Sequence, residues 1–289
     1  MIYTLKNDIL TVEVNSVGAE LYSAKRDGVE YVWQGDERYW GDRAPMLFPI
    51  CGRFYEGKYV YEGKTYEMGG HGFVRKRELA AEQVSDTEVR FLLSANEEIK
   101  AMYPFDFSLA IVYRLDGETL HTTYEITNTG DVILPATAGG HPGFNVPLDG
   151  KGAFDDYYLE FSEECYPDEM LLNGSYFAGR KRALNLEDGK IFRLKHSLFD
   201  EEGVFMSRAA SSVTLKSDKT DRYVRVDYPD MYYLGFWQAA KVNAPYICIE
   251  PWCGFAGDDG YVVDISKRSD MLRIRPGCTK SVGYSVTFG

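Results

Sequence analysis

Apolar and polar residues alternate with a period of two in many short runs along the chain. Residues 10–14 and 224–226 show this alternation, and residues 246–250 form another short, mostly apolar run. The runs are rich in β-branched and aromatic side chains, which fit the pleated surface of a sheet. We therefore predict that β-strands dominate the fold.

Turn signals separate neighbouring runs at the distance expected of hairpins. Glu62-Gly63 lies between two aromatic runs, and Asp116-Gly117 lies between two longer alternating runs. Pairs of this kind favour the tight turns that join antiparallel strands. We therefore expect strands that follow one another in the chain to pair in antiparallel fashion.

Helical periodicity is weak throughout the chain. Only residues 97–102 and 264–271 predict short helices, and no long amphipathic helix alternates with the strands, which argues against a doubly wound nucleotide-binding fold. Residues 149–193 are rich in turn residues and charges, and we expect long loops and irregular hairpins there. Because no repeat or Pro/Ser-rich linker divides the chain, we predict a single all-β domain over residues 1–289.

Composition narrows the classes of partner. The chain has 289 residues, 45% of them apolar, and a formal net charge of −12, which disfavours nucleic acids and anionic membranes and favours a small molecule. No segment resembles a signal peptide or a membrane span, so a cytoplasmic location is expected. The five cysteines include no C-x-x-C pair, which predicts reduced and mostly buried thiols. The oligomeric state stays open.

Two of the four histidines follow a Gly-Gly pair. Glycine allows unusual backbone angles and a close approach of ligand to backbone, so His71 and His141 are candidates for a binding loop. The alternative is two ordinary turns. His121 and His196 are expected at the surface, and no histidine has a second ligand at the spacing of a metal site. Phosphate-binding, nucleophile-elbow and dinucleotide motifs are absent, so we predict neither a cofactor nor a metal.

Glu250 ends an otherwise apolar run and is followed by Pro251 and Trp252. Since proline lacks the N–H of a central ladder, we expect the strand to stop there and leave the carboxylate at its mouth. Partial removal from water beside an indole would raise the pKa of the carboxyl group and make it a better base. The alternative is a carboxylate in a salt bridge at a strand end.

Arg53 and Arg75 are isolated cations in glycine-containing, apolar stretches. Their guanidinium groups suit the hydroxyl or phosphate groups of a ligand, and pairing with an acidic residue is the alternative. Trp237 and Trp252 offer flat apolar faces that suit either a sugar or the core.

Four motifs in chain order resemble those of the aldose 1-epimerases, and more narrowly their LacX-like branch. They are Gly-Arg-Phe at 52–54, His-Gly-Phe-Val-Arg at 71–75, Gly-Gly-His-Pro-Gly-Phe-Asn at 139–145 and Glu-Pro-Trp at 250–252. The resemblance extends over nearly the whole chain. It implies a galactose-mutarotase-like β-sandwich of twisted antiparallel sheets with a sugar-binding cleft.

The same resemblance implies roles for individual residues. Glu250 matches the family base and His141 the family acid in a cofactor-independent interconversion of the α and β anomers of a hexose. His71 and Arg53 would bind the sugar, and Asp200 is the position for a sugar-binding carboxylate. Such a reaction needs only one acid and one base near the substrate.

Three other functions remain open at the level of the sequence. Arg75 adds a second possible anion donor, which is similar to the hexose-6-phosphate 1-epimerases and would make the substrate a phosphorylated sugar. The same fold could also bind a sugar without turnover. A glycosidase is a weaker alternative, because it would require a second carboxylate beside Glu250.

Overall fold

The computed structural model describes all residues 1–289, and nearly all of its regular structure is β-strand. The strands are β1 (Ile2–Lys6), β2 (Leu10–Asn15), β3 (Glu20–Arg26), β4 (Val29–Glu30), β5 (Met46–Leu47), β6 (Lys58–Tyr61), β7 (Lys64–Glu67), β8 (Ala80–Ser85), β9 (Glu88–Ser94), β10 (Phe107–Asp116), β11 (Thr119–Asn128), β12 (Leu134–Ala136), β13 (Gly139–Gly140), β14 (Gly143–Asn145), β15 (Tyr157–Phe161), β16 (Asp168–Asn173), β17 (Tyr176–Ala183), β18 (Ile191–Arg193), β19 (Val204–Ser207), β20 (Ser212–Ser217), β21 (Thr220–Asp227), β22 (Tyr233–Trp237), β23 (Tyr246–Trp252), β24 (Leu272–Ile274) and β25 (Thr279–Phe288). The one α-helix, α1, is Glu97–Met102. Short 3₁₀ helices cover Tyr55–Gly57, Val74–Lys76, Leu148–Gly150, Phe154–Asp156, His196–Phe199 and Ile265–Lys267.

Two large sheets carry the fold. The first has nine strands in the order β18-β15-β20-β21-β25-β11-β10-β9-β8. The second has eight, in the order β17-β16-β19-β22-β23-β13-β5 with β14 also paired to β23. A four-stranded sheet (β1-β2-β3-β4) and the pairs β6-β7 and β12-β24 complete the structure. Every pairing between these strands is antiparallel.

The core lies between the large sheets, as in a β-sandwich. Strand β11 alternates buried and half-buried residues along its whole length, so one face packs inward. Buried side chains from both large sheets join in one cluster of 67 residues. No helix is long and apolar enough to cross a membrane.

Strand β23 is buried on both faces, and this positions the site. Ile247 and Ile249 belong to the main core cluster. Tyr246 and Cys248, which alternate with them, pack in a separate small cluster on the other face. That second face is the wall of a cavity, described below.

Most predictions of individual elements are confirmed. The two predicted hairpins form as β6-β7 and β10-β11, and residues 97–102 form α1. Residues 264–271 do not form the predicted helix, since only Ile265–Lys267 are helical, as one 3₁₀ turn. The expectation for residues 149–193 is half right: β16 and β17 form an irregular hairpin with a register shift between Met170 and Leu172, but the predicted long loops are largely replaced by strands. The segment contains strands β15 to β18. Almost all residues of β15 are buried and most residues of β17 are exposed, so neither strand shows clear alternation.

The prediction that the strand stops at Glu250 is also wrong, because β23 continues through Pro251 to Trp252. The N–H groups of Ile249 and Cys253 point to the same side of the strand as the proline nitrogen. They donate to the carbonyl oxygens of Pro142 and Ala138. In this register Pro251 lies opposite Gly140, the last residue of the short strand β13, so the donor that proline lacks falls at a strand end. A missing donor costs little there, so the proline is tolerated inside the sheet.

Candidate active site

His141 and Glu250 lie on adjacent segments of the eight-stranded sheet. Strand β13 pairs with β23 through Gly139 opposite Trp252, and β14 continues in the same register. Counting two residues forwards from Gly139 and two residues backwards from Trp252 places His141 directly opposite Glu250. Side chains in such a pair start about 4.5–5.5 Å apart at Cβ. The sheet register thus brings together two residues that are distant in the sequence.

The two side chains are in contact. Nε2 of His141 lies 3.1 Å from Oε2 of Glu250, and the side chains are 12% and 0% exposed. The carboxylate oxygens of Glu250 and Nδ1 of His141 have no aligned hydrogen-bond partner in the protein. Because buried polar atoms are nearly always hydrogen-bonded, these free atoms indicate where a polar ligand completes the site.

Burial shifts both groups towards their neutral forms. It raises the pKa of Glu250 well above its ordinary value. It lowers the pKa of His141 well below its ordinary value, and nearby His71 adds to this effect. When the pair holds a single proton, both groups are neutral with the proton on Glu250, and moving it across the 3.1 Å contact to His141 gives an ion pair.

Small and aromatic residues shape the space around the pair. Gly235 is the neighbour of Glu250 on β22, and a Cβ there would lie 3.3 Å from that of Glu250. The rings of Trp40 and Trp237 lie 5.0 Å and 5.4 Å from the imidazole of His141. The two indoles fix the plane of the imidazole and exclude water from its sides.

His71 lies beside the pair as a neutral hydrogen-bond donor. Its ring is 5.6 Å from that of His141, and its Nδ1 accepts a hydrogen bond of 3.2 Å from the backbone N–H of Gly52. Burial, with Arg75 and Arg53 nearby, lowers the pKa of His71 to about 3. Its proton is therefore on Nε2, which can donate to a ligand, and the ring does not act as an acid at neutral pH.

The backbone that presents His71 depends on Gly72. This glycine has φ +75°, and a Cβ there would lie 2.0 Å from the carbonyl oxygen of Phe48. We expect Gly72→Ala to lower the free energy of unfolding by roughly 3 kcal/mol or more, from backbone strain and overlap together. Gly63 is the matched control, since it has the same φ of +75° with nothing within 4 Å. Gly63→Ala should cost only about 1–2 kcal/mol, and equal losses in urea unfolding would contradict this.

A cavity of about 260 Å³ opens onto the pair, close to the lower end of the range for small-molecule sites. Its walls combine indole and phenyl rings with a few charged groups. The lining residues are Trp40, Gly52, Arg53, Gly70, His71, Arg75, His141, Leu172, Ser175, Glu202, Phe205, Trp237, Glu250, Trp252, Phe255 and Ala256.

Five of the six site residues predicted from the sequence line this cavity, and Asp200 does not. Asp200 caps the 3₁₀ turn His196–Phe199, and Glu202, two residues later, lines the cavity instead. Burial raises the pKa of Glu202, with Glu201 adding to the shift.

The two arginines differ in their partners. Arg75 forms an ion pair with Asp42, whereas Arg53 has no ion pair and no side-chain hydrogen bond within the protein. Gly70 leaves room for the guanidinium group of Arg53, because a Cβ at Gly70 would lie 3.2 Å from its Nε. Arg53 is therefore the guanidinium group that is free to donate to a ligand.

Sequence reasoning missed Trp40 and Glu202 in the cavity wall, and it missed the position of Cys248 next to His141 and Glu250. Cys248 is two residues from Glu250 on β23, so strand alternation could have placed both on one face. Trp40 and Glu202 lie outside the strands, and no local pattern connects either of them with His141. Only the fold brings these two residues to the cavity.

Known proteins resemble the chain over its whole length. Residues 1–258 match the family model described as aldose 1-epimerase. The chromosomal protein LacX of Lactococcus lactis subsp. lactis is 34% identical over 304 aligned positions, which cover 99% of each chain.

Two solved structures agree closely with this one. The galactose mutarotase related enzyme from Lactobacillus acidophilus has a TM-score of 0.94 at 31% identity, over 100% of this chain and 97% of that one. A galactose mutarotase-like protein from Lactobacillus casei ATCC 334 has a TM-score of 0.93 at 30% identity, over 100% of both chains.

Proposed function

Since the chain belongs to the aldose 1-epimerase family, we propose that it interconverts the α and β anomers of a free hexose by acid/base ring opening. The resemblance predicted from four short motifs is confirmed, as is the galactose-mutarotase-like sandwich. The observation that carries the proposal is the contact between Glu250 and His141, buried at the cavity with unpaired polar atoms.

The geometry of the pair matches the two oxygens that react. The anomeric oxygen and the ring oxygen of a hexose are bonded to the same carbon, C1, and so lie close together. Glu250 and His141 present an acceptor and a donor 3.1 Å apart. One bound sugar can therefore engage both groups at once.

The reaction proceeds through the open-chain aldehyde. Glu250 takes the proton of the anomeric hydroxyl, and the O–H electron pair forms the C1=O double bond. The bond from C1 to the ring oxygen breaks, and that oxygen takes a proton from His141. Rotation about C1–C2 followed by the reverse transfers closes the ring as the other anomer, and both residues return to their starting protonation states.

Burial favours the opening step. This step starts from the ion-pair form, in which the shared proton has moved from Glu250 to His141, and it ends with both groups neutral. The same burial that raises the pKa of Glu250 and lowers that of His141 therefore stabilises the pair once the ring has opened. Preorganised walls supply this effect without rearrangement of solvent.

Other cavity groups are placed to hold the sugar. We assign His71 Nε2 and Arg53 as donors to sugar oxygens, and Glu202 as an acceptor in place of Asp200. The rings of Phe205 and Trp252, 5.0 Å apart, provide an apolar wall for the C–H face.

Polarimetry of freshly dissolved α-glucose and α-galactose tests the proposal. The protein should accelerate the approach to anomeric equilibrium in proportion to its concentration. In water labelled with ¹⁸O, catalysed turnover should add no label at C1 beyond the uncatalysed background, because the bond between C1 and its hydroxyl oxygen never breaks. Catalysed label incorporation would support a glycosidase-type reaction, and no acceleration with any hexose would support sugar binding alone.

A hexose 6-phosphate is the second candidate substrate, because Arg53 and Arg75 line one cavity as that alternative requires. The charges favour the free sugar, however. Asp42 neutralises Arg75, and Glu202 adds a carboxylate to the same cavity. This leaves no excess of positive charge for a phosphate dianion.

Arg53→Gln distinguishes the two substrates. Loss of one charged donor should raise KM for the free hexose roughly 10-fold or more and leave kcat nearly unchanged, since the donor holds ground state and transition state alike. Steady-state kinetics with glucose and with glucose 6-phosphate provide the measurement. If kcat/KM is far larger for the phosphorylated sugar and this advantage is lost in the variant, the hexose 6-phosphate is the substrate.

A further inference from the structure

A thiol completes a set of three metal-ligating side chains at the catalytic pair. The ligand atoms of His141, Cys248 and Glu250 all lie within 4.8 Å of one another. Cys248 is fully buried, and the proton transfers proposed above make no use of it. Its presence beside two unpaired polar groups is therefore not explained by the reaction.

The sheet register accounts for this arrangement. Cys248 and Glu250 are two residues apart on β23, so both project from the same face. Gly143 lies opposite Cys248 and adds no side chain between the thiol and His141. Sequence spacing does not reveal the set, because the histidine comes from the neighbouring segment.

We propose that His141, Cys248 and Glu250 form a binding site for Zn²⁺ or a similar borderline-soft divalent cation. Nitrogen, sulfur and oxygen are the three ligand types of protein-bound zinc, with bonds of about 2.0–2.3 Å. The separation of 3.1 Å between His141 Nε2 and Glu250 Oε2 already suits two ligands of one such ion. The Cys248 sulfur lies within 4.8 Å of both of these atoms.

Charge balance makes a buried ion acceptable there. On binding, the thiol of Cys248 and the His141–Glu250 pair each lose one proton to solvent. One thiolate and one carboxylate then neutralise the two positive charges of the metal, and the neutral imidazole donates its lone pair. A neutral complex avoids most of the cost of burying an isolated cation.

The thiolate determines which metals bind. Zn²⁺, Co²⁺ and Cu²⁺ accept sulfur and imidazole ligands, whereas Mg²⁺ and Ca²⁺ require oxygen shells that this site does not offer. Three protein ligands leave a fourth position, and His141 and Glu250 direct it towards the cavity.

A bound metal ion would inactivate the acid/base pair, because the metal coordinates the lone pair of His141 and the carboxylate of Glu250. Zinc is therefore expected to inhibit anomer exchange, and chelation by EDTA to restore it. This consequence rests on the function proposed above. The binding itself does not depend on it.

Cobalt provides a direct spectroscopic test with the intact protein. Titration with Co²⁺ should give intense visible absorption typical of tetrahedral coordination, together with a thiolate-to-metal charge-transfer band in the near ultraviolet. One equivalent of Zn²⁺ should abolish both signals. A saturated protein without the charge-transfer band, or with bands at several equivalents, would overturn the proposal.

A matched pair of cysteine variants assigns the ligand. Cys248→Ser should abolish the charge-transfer band and weaken Zn²⁺ binding by at least about 100-fold, more than loss of a partner outside the ligand shell. Cys253, which is partly exposed with its sulfur 3.8 Å from the carbonyl oxygen of Asp230, is the control. Cys253→Ser should leave the spectrum and the affinity unchanged. Equal losses in both variants would contradict the assignment.

Anomer exchange and metal binding can be tested separately. Since Cys248 takes no part in proton transfer, a folded Cys248→Ser protein should keep the anomer exchange and lose its sensitivity to zinc. A cobalt spectrum without any anomer exchange would contradict the proposed function and leave the metal site standing. Anomer exchange that is insensitive to saturating Zn²⁺, with no cobalt spectrum, would contradict the metal site alone.

Discussion

Glu250→Gln is expected to lower kcat for anomer exchange by roughly 10³-fold or more, because the amide cannot accept the proton of the anomeric hydroxyl. KM should change little, since Gln has the same shape and the other sugar-binding groups remain. The rate is measured by polarimetry under saturating sugar. A variant that retains a tenth of the activity would exclude Glu250 as the base.

The same substitution should stabilise the protein, which separates loss of chemistry from loss of fold. The folded-state pKa of Glu250 is raised by burial, so its carboxylate destabilises the fold increasingly as pH rises above the ordinary value of about 4.3. Gln has no charge to bury. The Tm advantage of Glu250→Gln should therefore grow as the pH rises above about 4. If the unmodified protein shows no anomer exchange and Glu250→Gln still binds sugar, the result would instead favour a protein that only binds sugar.

His141→Asn is expected to lower kcat by roughly 10²- to 10³-fold, because the ring oxygen loses its proton donor. Residual activity should rise with pH, since the ionised form of Glu250 is then the only group required. A profile that falls with rising pH would show that a different acid acts in the variant.

The pH profile of the unmodified protein follows from the shared proton. At low pH the pair gains a second proton at the lowered pKa of His141; at high pH it loses its proton at the raised pKa of Glu250. The acid limb of the profile should therefore lie below the ordinary histidine value of about 6.5, and the alkaline limb above the ordinary glutamate value of about 4.3. An acid limb above about 6.5 or an alkaline limb below about 4.3 would contradict these shifts.

The sequence predicted the fold class and most of the site because the information was local. Alternation and turn pairs identified antiparallel hairpins such as β10-β11, and glycine-framed histidines identified His71 and His141. The error at Pro251 has a physical cause. A proline interrupts a ladder only where its N–H would be needed, and the need depends on a neighbouring segment that the sequence does not reveal.

Placement of the remaining groups required the fold itself. The choice between Asp200 and Glu202 depends on how a short 3₁₀ turn is oriented over the cavity. Trp40 reaches His141 from a segment outside the strands, with no periodicity to indicate its direction. Non-local packing of this kind leaves no pattern in a single chain.

Magnetisation exchange between the α and β anomeric protons of a hexose, followed by NMR at anomeric equilibrium, tests the central claim most directly. It measures interconversion alone, without net reaction. The account predicts exchange that increases with protein concentration and falls to the uncatalysed rate with Glu250→Gln and with His141→Asn. Protein-dependent exchange that persists in both variants would contradict the roles of Glu250 and His141.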